Sequence, residues 1–137
     1  MYNWRNVKLG DVIEIIGGGT PKRNCDEYWN GDIPWLSVID FNNDRRYVYD
    51  SSEYITNKGL KESSTNLLHK GQIIISARGT VGALSQISRP MAFNQSCYGI
   101  TSKDENCVND FLYYLLKYTV PKIKMITHGS VFDTITK

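Results

Sequence analysis

Gln72-Ile73-Ile74-Ile75-Ser76-Ala77 is followed by Arg78-Gly79-Thr80 and then by Val81-Gly82-Ala83-Leu84-Ser85-Gln86-Ile87-Ser88. The first segment is almost continuously apolar and β-branched, which suits a strand buried on both faces. A glycine-containing turn then leads into a second strand over Val81 to Ser88. Met91-Ala92-Phe93 and Cys97-Tyr98-Gly99-Ile100 read as further short strands, so residues 72–100 are expected to form a β meander.

Upstream, Lys8-Leu9-Gly10-Asp11 leads into the apolar run Val12 to Ile16, which stops at Gly17-Gly18-Gly19-Thr20-Pro21. Gly31-Asp32 is a turn signal before an expected strand from Ile33 to Ile39, with Pro34 near its start, where the missing N–H matters least. Asn42 to Arg46 is a polar loop and Tyr47-Val48-Tyr49 a short strand. Ser52 to Ser64 mixes helix formers with Gly59 and reads as a short helix plus a turn.

Downstream, Asn109 is placed to cap a helix from Asp110 to Thr119, with Pro121 expected to stop it. Phe111, Tyr114, Leu115 and Tyr118 share one face at helical spacing, and Leu112 and Leu116 widen it, which predicts packing on more than one side. Lys122 to Thr127 fits either a strand or a helix end, and His128-Gly129-Ser130 marks a break. Short, largely antiparallel strands with grouped helices make an α+β domain.

The chain has 137 residues, about one ordinary domain, with 41% hydrophobic and 22% charged residues, which excludes disordered and collagen-like classes. No internal repeat or Pro/Ser-rich linker divides it. No apolar run approaches the roughly 20 residues of a membrane helix, and Met1-Tyr2-Asn3-Trp4-Arg5 lacks the apolar core of a signal peptide. Three cysteines, Cys25, Cys97 and Cys107, cannot all pair within one chain and none has Cys-x-x-Cys spacing, which points to free thiols in a reducing cytoplasm. Net charge is only +2, with six basic and eight acidic residues in 1–50 against ten and six in 51–137. The basic second half permits an anionic partner.

Several chemistries lack their residues. Gly17 to Asn24 has no Gly-Lys-Ser/Thr, and a dinucleotide fingerprint begun at Gly17 meets Lys22 where it needs glycine. The alternatives left are a glycine-rich bend and a backbone that approaches a ligand closely. His69 and His128 stand without cysteine or carboxylate at ligand spacing, so no metal site is expected. No acid precedes a lysine by two positions, as the common magnesium nuclease motif requires, and no Gly-x-Ser-x-Gly elbow occurs. None of the four prolines has a proline neighbour, so the Asn/Asp-Pro-Pro-aromatic loop of adenine methylation is missing. Polar loops on a β-rich frame remain: a binding module.

Seven segments now combine in order: Lys8-Leu9-Gly10-Asp11, Gly18-Gly19-Thr20-Pro21, Tyr28 to Trp35, Ile55 to Ser64, Ile75 to Gly82, Asn94-Gln95 and Gly129-Ser130. Together they resemble a target recognition domain of the DNA specificity (S) subunits of type I restriction-modification systems, over essentially the whole chain. The resemblance implies a mixed, largely antiparallel twisted sheet with flanking helices, like the specificity domain of DNA adenine methylases. It implies recognition of one half of a split duplex DNA site by a non-catalytic component. Methyltransferase (M) subunits, and through them restriction (R) subunits, would be the partners. S-adenosylmethionine, ATP and magnesium would sit on those partners and no cofactor on this chain. Residues 1–137 would be a single recognition domain ending about where a spacer helix begins, an excised domain or a half-subunit, pairing with a second recognition domain or a second copy.

Arg, Lys, Asn, Gln, Ser and Thr on loops are the groups that contact phosphates and base edges. Base reading is expected first at Asn42, Asn43, Arg45 and Arg46, then at Lys58, Lys61 and Ser63. Thr20, Lys22, Arg23, Arg78, Thr80, Asn94 and Gln95 are expected to position the DNA backbone. The alternatives are the recognition domain of a fused restriction-methylation enzyme, with the same DNA role, and a small β-rich sugar-binding module or enzyme using the nine tyrosines and three tryptophans.

Overall fold

The computed structural model describes residues 13–78, 82–103 and 108–127, with side chains up to Val120 in the last segment. Its strands are β1 (Ile13–Gly17), β2 (Trp29–Leu36), β3 (Tyr47–Val48), β4 (Glu53–Ile55), β5 (Ile73–Ser76), β6 (Leu84–Ile87), β7 (Ala92–Phe93) and β8 (Cys97–Ser102). Helix α1 spans Asn57–Lys61 and α2 spans Asn109–Thr127. Five strands form one sheet in the order β1-β8-β5-β6-β3, and three form a second in the order β4-β2-β7. The β3–β6 and β2–β7 pairs are parallel and the rest antiparallel, so the architecture is the expected mixed, largely antiparallel α+β domain, built from two sheets rather than one.

The isoleucines of β5 decide the layering. Period-2 alternation sends Ile73 and Ile75 to one face, where they meet Leu112, Tyr113, Leu116 and Val120 of α2. Ile74 faces the other way, into a cluster with Leu36, Phe41, Leu68 and Phe93. Beyond it, Trp35, Ile55 and Ala92 of the small sheet pack with Leu60 of α1. The succession is therefore α2, large sheet, small sheet, α1. Each fully buried isoleucine contributes about 1.5–3 kcal/mol relative to exposure.

Four expectations need correction. The strand expected over Ile33 to Ile39 runs instead from Trp29 to Leu36, and Val38–Asp40 form a 3₁₀ turn. Its presumed turn at Gly31-Asp32 is an irregularity inside the strand: the register against β4 shifts between Trp29 and Ile33, and Asn30 takes the left-handed conformation (φ 63°). The segment from Ser52 to Ser64 opens with strand β4 and only then becomes helical, because Glu53-Tyr54-Ile55 gains backbone partners on β2. The meander is broken as well. β7 leaves to pair with β2, and β8 lies between β1 and β5.

Helix α2 continues through Pro121 to Thr127, so the tail is helical and the proline no stop. One helix bond is forfeited there, while Lys117, Lys122, Lys124 and Met125 favour helix on both sides. Val108 supplies the first carbonyl, accepting the Leu112 N–H, and the Asn109 amide oxygen accepts instead from the Ser102 N–H of β8 at 2.8 Å. The sheet covers one side of α2 only. Phe111, Tyr114 and Tyr118 are exposed and Leu115 partly buried, against the expectation of packing on more than one side. The expected features at Lys8 to Val12, Gly79 to Val81 and His128 to Ser130 lie outside the described residues, as does Cys107.

Candidate nucleic-acid interface

Strand register places several polar loops in one row. Gly17 at the end of β1 faces Tyr98, Ser76 at the end of β5 faces Cys97 at the start of β8, and Ile75 faces Leu84 at the start of β6. The chain therefore leaves β1 and β5, and enters β6 and β8, at the same end of the large sheet. β3 runs parallel to β6, so the loop before Tyr47 enters from that end too. The segment from β7 into β8 arrives there as well, since the Ala77 N–H donates to the Ser96 carbonyl at 2.8 Å, and the Asn94 N–H, donating to the Leu36 carbonyl at 3.0 Å, brings the end of β2 alongside.

The glycine-rich loop is fixed in this row by close packing. The Gly19 N–H donates to the Phe93 carbonyl at 3.0 Å, and its carbonyl accepts the Trp35 indole N–H at 2.9 Å. A methyl group at Gly18 would strike the Asn94 and Phe93 carbonyls, and one at Gly19 would strike Ser64. Of the two readings the sequence left open, the bend is built for close approach of backbone to backbone. Thr20 donates its hydroxyl to the Gln95 side-chain oxygen at 2.5 Å, and the Asn94 side-chain oxygen accepts the Ser96 N–H at 3.0 Å. Thr20, Asn94 and Gln95 thus form one cluster, with exposed Lys22 close by in the chain. Trp29 donates its indole N–H to the Lys22 carbonyl at 3.0 Å. Arg23 lies with its guanidinium 4.3 Å from the Trp29 ring centre and bridges Glu53 with two contacts, at 2.5 and 3.2 Å.

The loop from Asn42 to Arg46 is pinned at both ends. Phe41 is buried in the core, and the carbonyl of Arg46 accepts the Gln86 N–H at 2.6 Å. Between them the Asn43 side-chain oxygen accepts the Arg45 N–H at 3.1 Å, and Asp44 takes the left-handed conformation (φ 59°), as Asn and Asp tolerate in turns. Asn42, Asn43, Asp44 and Arg45 are exposed. Arg46 is drawn inward, where its guanidinium meets Asp110 at 3.2 Å.

Before this loop, the 3₁₀ turn carries Ile39, 74% exposed. Asp40 anchors the turn by accepting from the Ser37 N–H at 2.9 Å and from the Ser52 N–H and hydroxyl at 3.0 and 2.9 Å. The Asp40 charge lies near Cys97, whose thiol is pushed up to about 12, by burial first and by Asp40 second. Ile39 escaped sequence reading because it was assigned to a strand, and the Ser-x-x-Asp spacing of Ser37 and Asp40 was the available signal of a turn.

Lys58 and Lys61 lie on α1, at the opposite end of the small sheet from Leu36, and Ser63 follows the helix, directly before Ser64, which packs on Gly19. Lys58 pairs with Glu27, whose hydrogen bond and charge hold the ammonium above the ordinary lysine value. The Ser63 hydroxyl donates to the Gly59 carbonyl at 2.7 Å. The structure therefore gathers Asn42, Asn43, Arg45 and Arg46, Thr20, Lys22 and Arg23, Asn94 and Gln95, and Arg78 towards one edge, leaves Lys58 and Lys61 elsewhere on α1, and turns the Ser63 hydroxyl back onto the helix. Thr80 lies outside the described residues. Among the described residues of that edge, the side chains of Lys22, Arg45 and Arg78 make no ion pair. No described group of three His, Cys, Asp or Glu could hold a metal, and no described helix is long and apolar enough to cross a membrane.

The family model described as type I restriction modification DNA specificity domain matches residues 1–137. The type I restriction enzyme MjaIX specificity subunit of Methanocaldococcus jannaschii is 37% identical over 137 residues, covering 97% of this chain and 31% of the relative. The EcoR124I/EcoR124II specificity subunit of Escherichia coli is 33% identical over 115 residues, covering 79% and 27%. This chain spans less than a third of the length of either. The HsdS subunit of Thermoanaerobacter tengcongensis has a similar fold, with a TM-score of 0.67 at 20% identity over 87% of this chain and 28% of the other.

Proposed function

The chain belongs to the type I restriction modification DNA specificity domain family, and from that membership we propose that it recognises one half of a split duplex DNA site. The observation that carries the reading is the row of loops at one end of the large sheet, along which the Lys22, Arg45 and Arg78 side chains make no ion pair among the described residues. Lys22 and Arg78 neutralise phosphates and Thr20, Asn94 and Gln95 add polar backbone contacts, setting the register of protein on DNA. Asn42, Asn43 and Arg45 reach base edges, the amides suiting adenine and the guanidinium guanine. Ile39, beside them on a fixed turn, meets the methyl group of a thymine. The α1 residues Lys58 and Lys61 stand outside this surface.

Residues 1–137 act in this reading as one non-catalytic recognition domain. It works beside a second such unit in a complex with methyltransferase and restriction subunits, in the cytoplasm. S-adenosylmethionine, ATP and magnesium belong to those partners. Titration of the chain with labelled duplex DNA at several salt concentrations tests the DNA role. Two phosphates neutralised give a log–log slope of about −2. Binding that ignores salt, or no binding to duplex at low salt, contradicts it.

A further inference from the structure

Arg46 ends the loop that reads bases in the preceding proposal, yet each of the three nitrogens of its guanidinium is engaged within the protein. Its Nε donates to the Gln86 side-chain oxygen at 3.0 Å, one terminal nitrogen reaches Asp110 at 3.2 Å, and the other donates to the Tyr114 hydroxyl at 3.2 Å. The rings of Tyr47 and Tyr114 each lie 4.9 Å from it, within cation–π range. Gln86 is buried and satisfied at both ends, since its amide nitrogen donates to Asp110 at 2.7 Å and to the Gly71 carbonyl at 2.9 Å. β3, β6 and the first turn of α2 thus close around one guanidinium. A planar fork with five donors can make these contacts together, whereas a lysine ammonium cannot.

We propose that Arg46 is a positioning residue that latches the reading loop to α2 through Asp110, so that Asp110, 64 positions away along the chain and outside the loop, controls the sharpness of DNA selectivity. The inference rests on the reading that residues 42–45 face bases. The latch holds Arg45 and the two asparagines in one geometry, and base discrimination by bidentate contacts depends on geometry. It also withholds a positive charge from the phosphates. Releasing Arg46 therefore changes two quantities in opposite directions: selectivity falls while affinity for DNA of arbitrary sequence rises.

The test compares the unaltered chain with Asp110→Ala, Asp110→Glu and Glu14→Gln on selected and random duplexes. Glu14→Gln removes an exposed carboxylate of β1 remote from the network and controls for net charge. In Asp110→Ala, selectivity should drop roughly tenfold, the worth of one bidentate contact. Random-duplex binding should tighten, and the salt slope should steepen by about 0.9. Asp110→Glu should restore selectivity and Glu14→Gln should leave it intact. A merely structural role for Asp110 would weaken binding to both kinds of duplex. Unchanged selectivity in Asp110→Ala overturns the latch alone, whereas no selectivity in the unaltered chain overturns the recognition reading and the latch with it. If Asp110→Ala does not fold, Arg46→Lys and Tyr114→Phe carry the same test, and retained selectivity in both overturns the proposal.

Discussion

The indole N–H of Trp35 donates to the carbonyl oxygen of Gly19 at 2.9 Å, joining the glycine-rich loop to the small sheet in a site where both residues are buried. The same loop reaches the Phe93 carbonyl through its own N–H, so the loop after β1, the Trp35 side chain of β2 and the backbone of β7 meet at one point. Polar residues that follow, Thr20 to Arg23, stand on this junction.

Removing either side of that contact should destabilise the fold. Trp35→Phe leaves a buried carbonyl without its donor and is expected to cost about 1–3 kcal/mol. Gly19→Ala forces a methyl group onto Ser64 and to within 2.8 Å of the Thr65 nitrogen, costing about 2 kcal/mol. Urea unfolding measures both. An unchanged midpoint in Gly19→Ala would show that the loop does not pack as described.

Arg78 and Arg45 should fail differently when truncated. Arg78→Ala should weaken binding to every duplex by a similar factor and make the salt slope shallower by about 0.9. Arg45→Ala should relax preference at one base position, by about 1–3 kcal/mol, and leave the others unchanged. Competition titrations with single-base variants distinguish the two patterns, and an exchange of patterns would reverse the assignments.

Ile39 should be sensitive to a single methyl group on the DNA. With thymine replaced by uracil at the contacted position, the unaltered chain should lose about 1 kcal/mol of binding, roughly the value of one buried CH₂. Ile39→Ala should bind the two duplexes equally. Equal binding of both duplexes by the unaltered chain removes Ile39 from the interface.

Cys97 gives a pH dependence of known sign. Its folded-state value is raised, by burial and by Asp40, to about 12 from 9.0, so the native protein keeps the proton that the unfolded thiol loses. This contribution to stability is fully present below pH 9 and is lost as pH rises from 9 towards 12, at up to about 1.4 kcal/mol per unit. Native Cys97 should also resist alkylation at pH 9 while partly exposed Cys25 reacts. Cys97→Ala should flatten the alkaline loss of stability, and an unaltered alkaline profile in that variant would falsify the assignment.

Some of this architecture was legible in the residues because the signal was local. Ile73-Ile74-Ile75 is buried on both faces as β-branched continuity implies, and the three glycines from Gly17 end a strand as expected. Elements whose conformation depends on distant partners were not. Glu53-Tyr54-Ile55 is too short for periodicity and becomes a strand only against β2, while Ala92–Phe93 follows β2 rather than its sequence neighbours. The site behaved likewise. Arg45 and Arg46 look equivalent in the sequence, but Asp110 and Gln86 occupy one of them, and nothing near Arg46 in the chain announces partners 40 and 64 positions away.

The most direct test of the recognition surface is selection of bound duplexes from a randomised pool, by the unaltered chain and by a chain with residues 42–45 replaced by another loop sequence. The unaltered chain should enrich one short motif, and the replaced loop should enrich a different motif or none while binding bulk DNA about as well. Recovery of the same motif from both chains would contradict the central claim that this loop reads the bases.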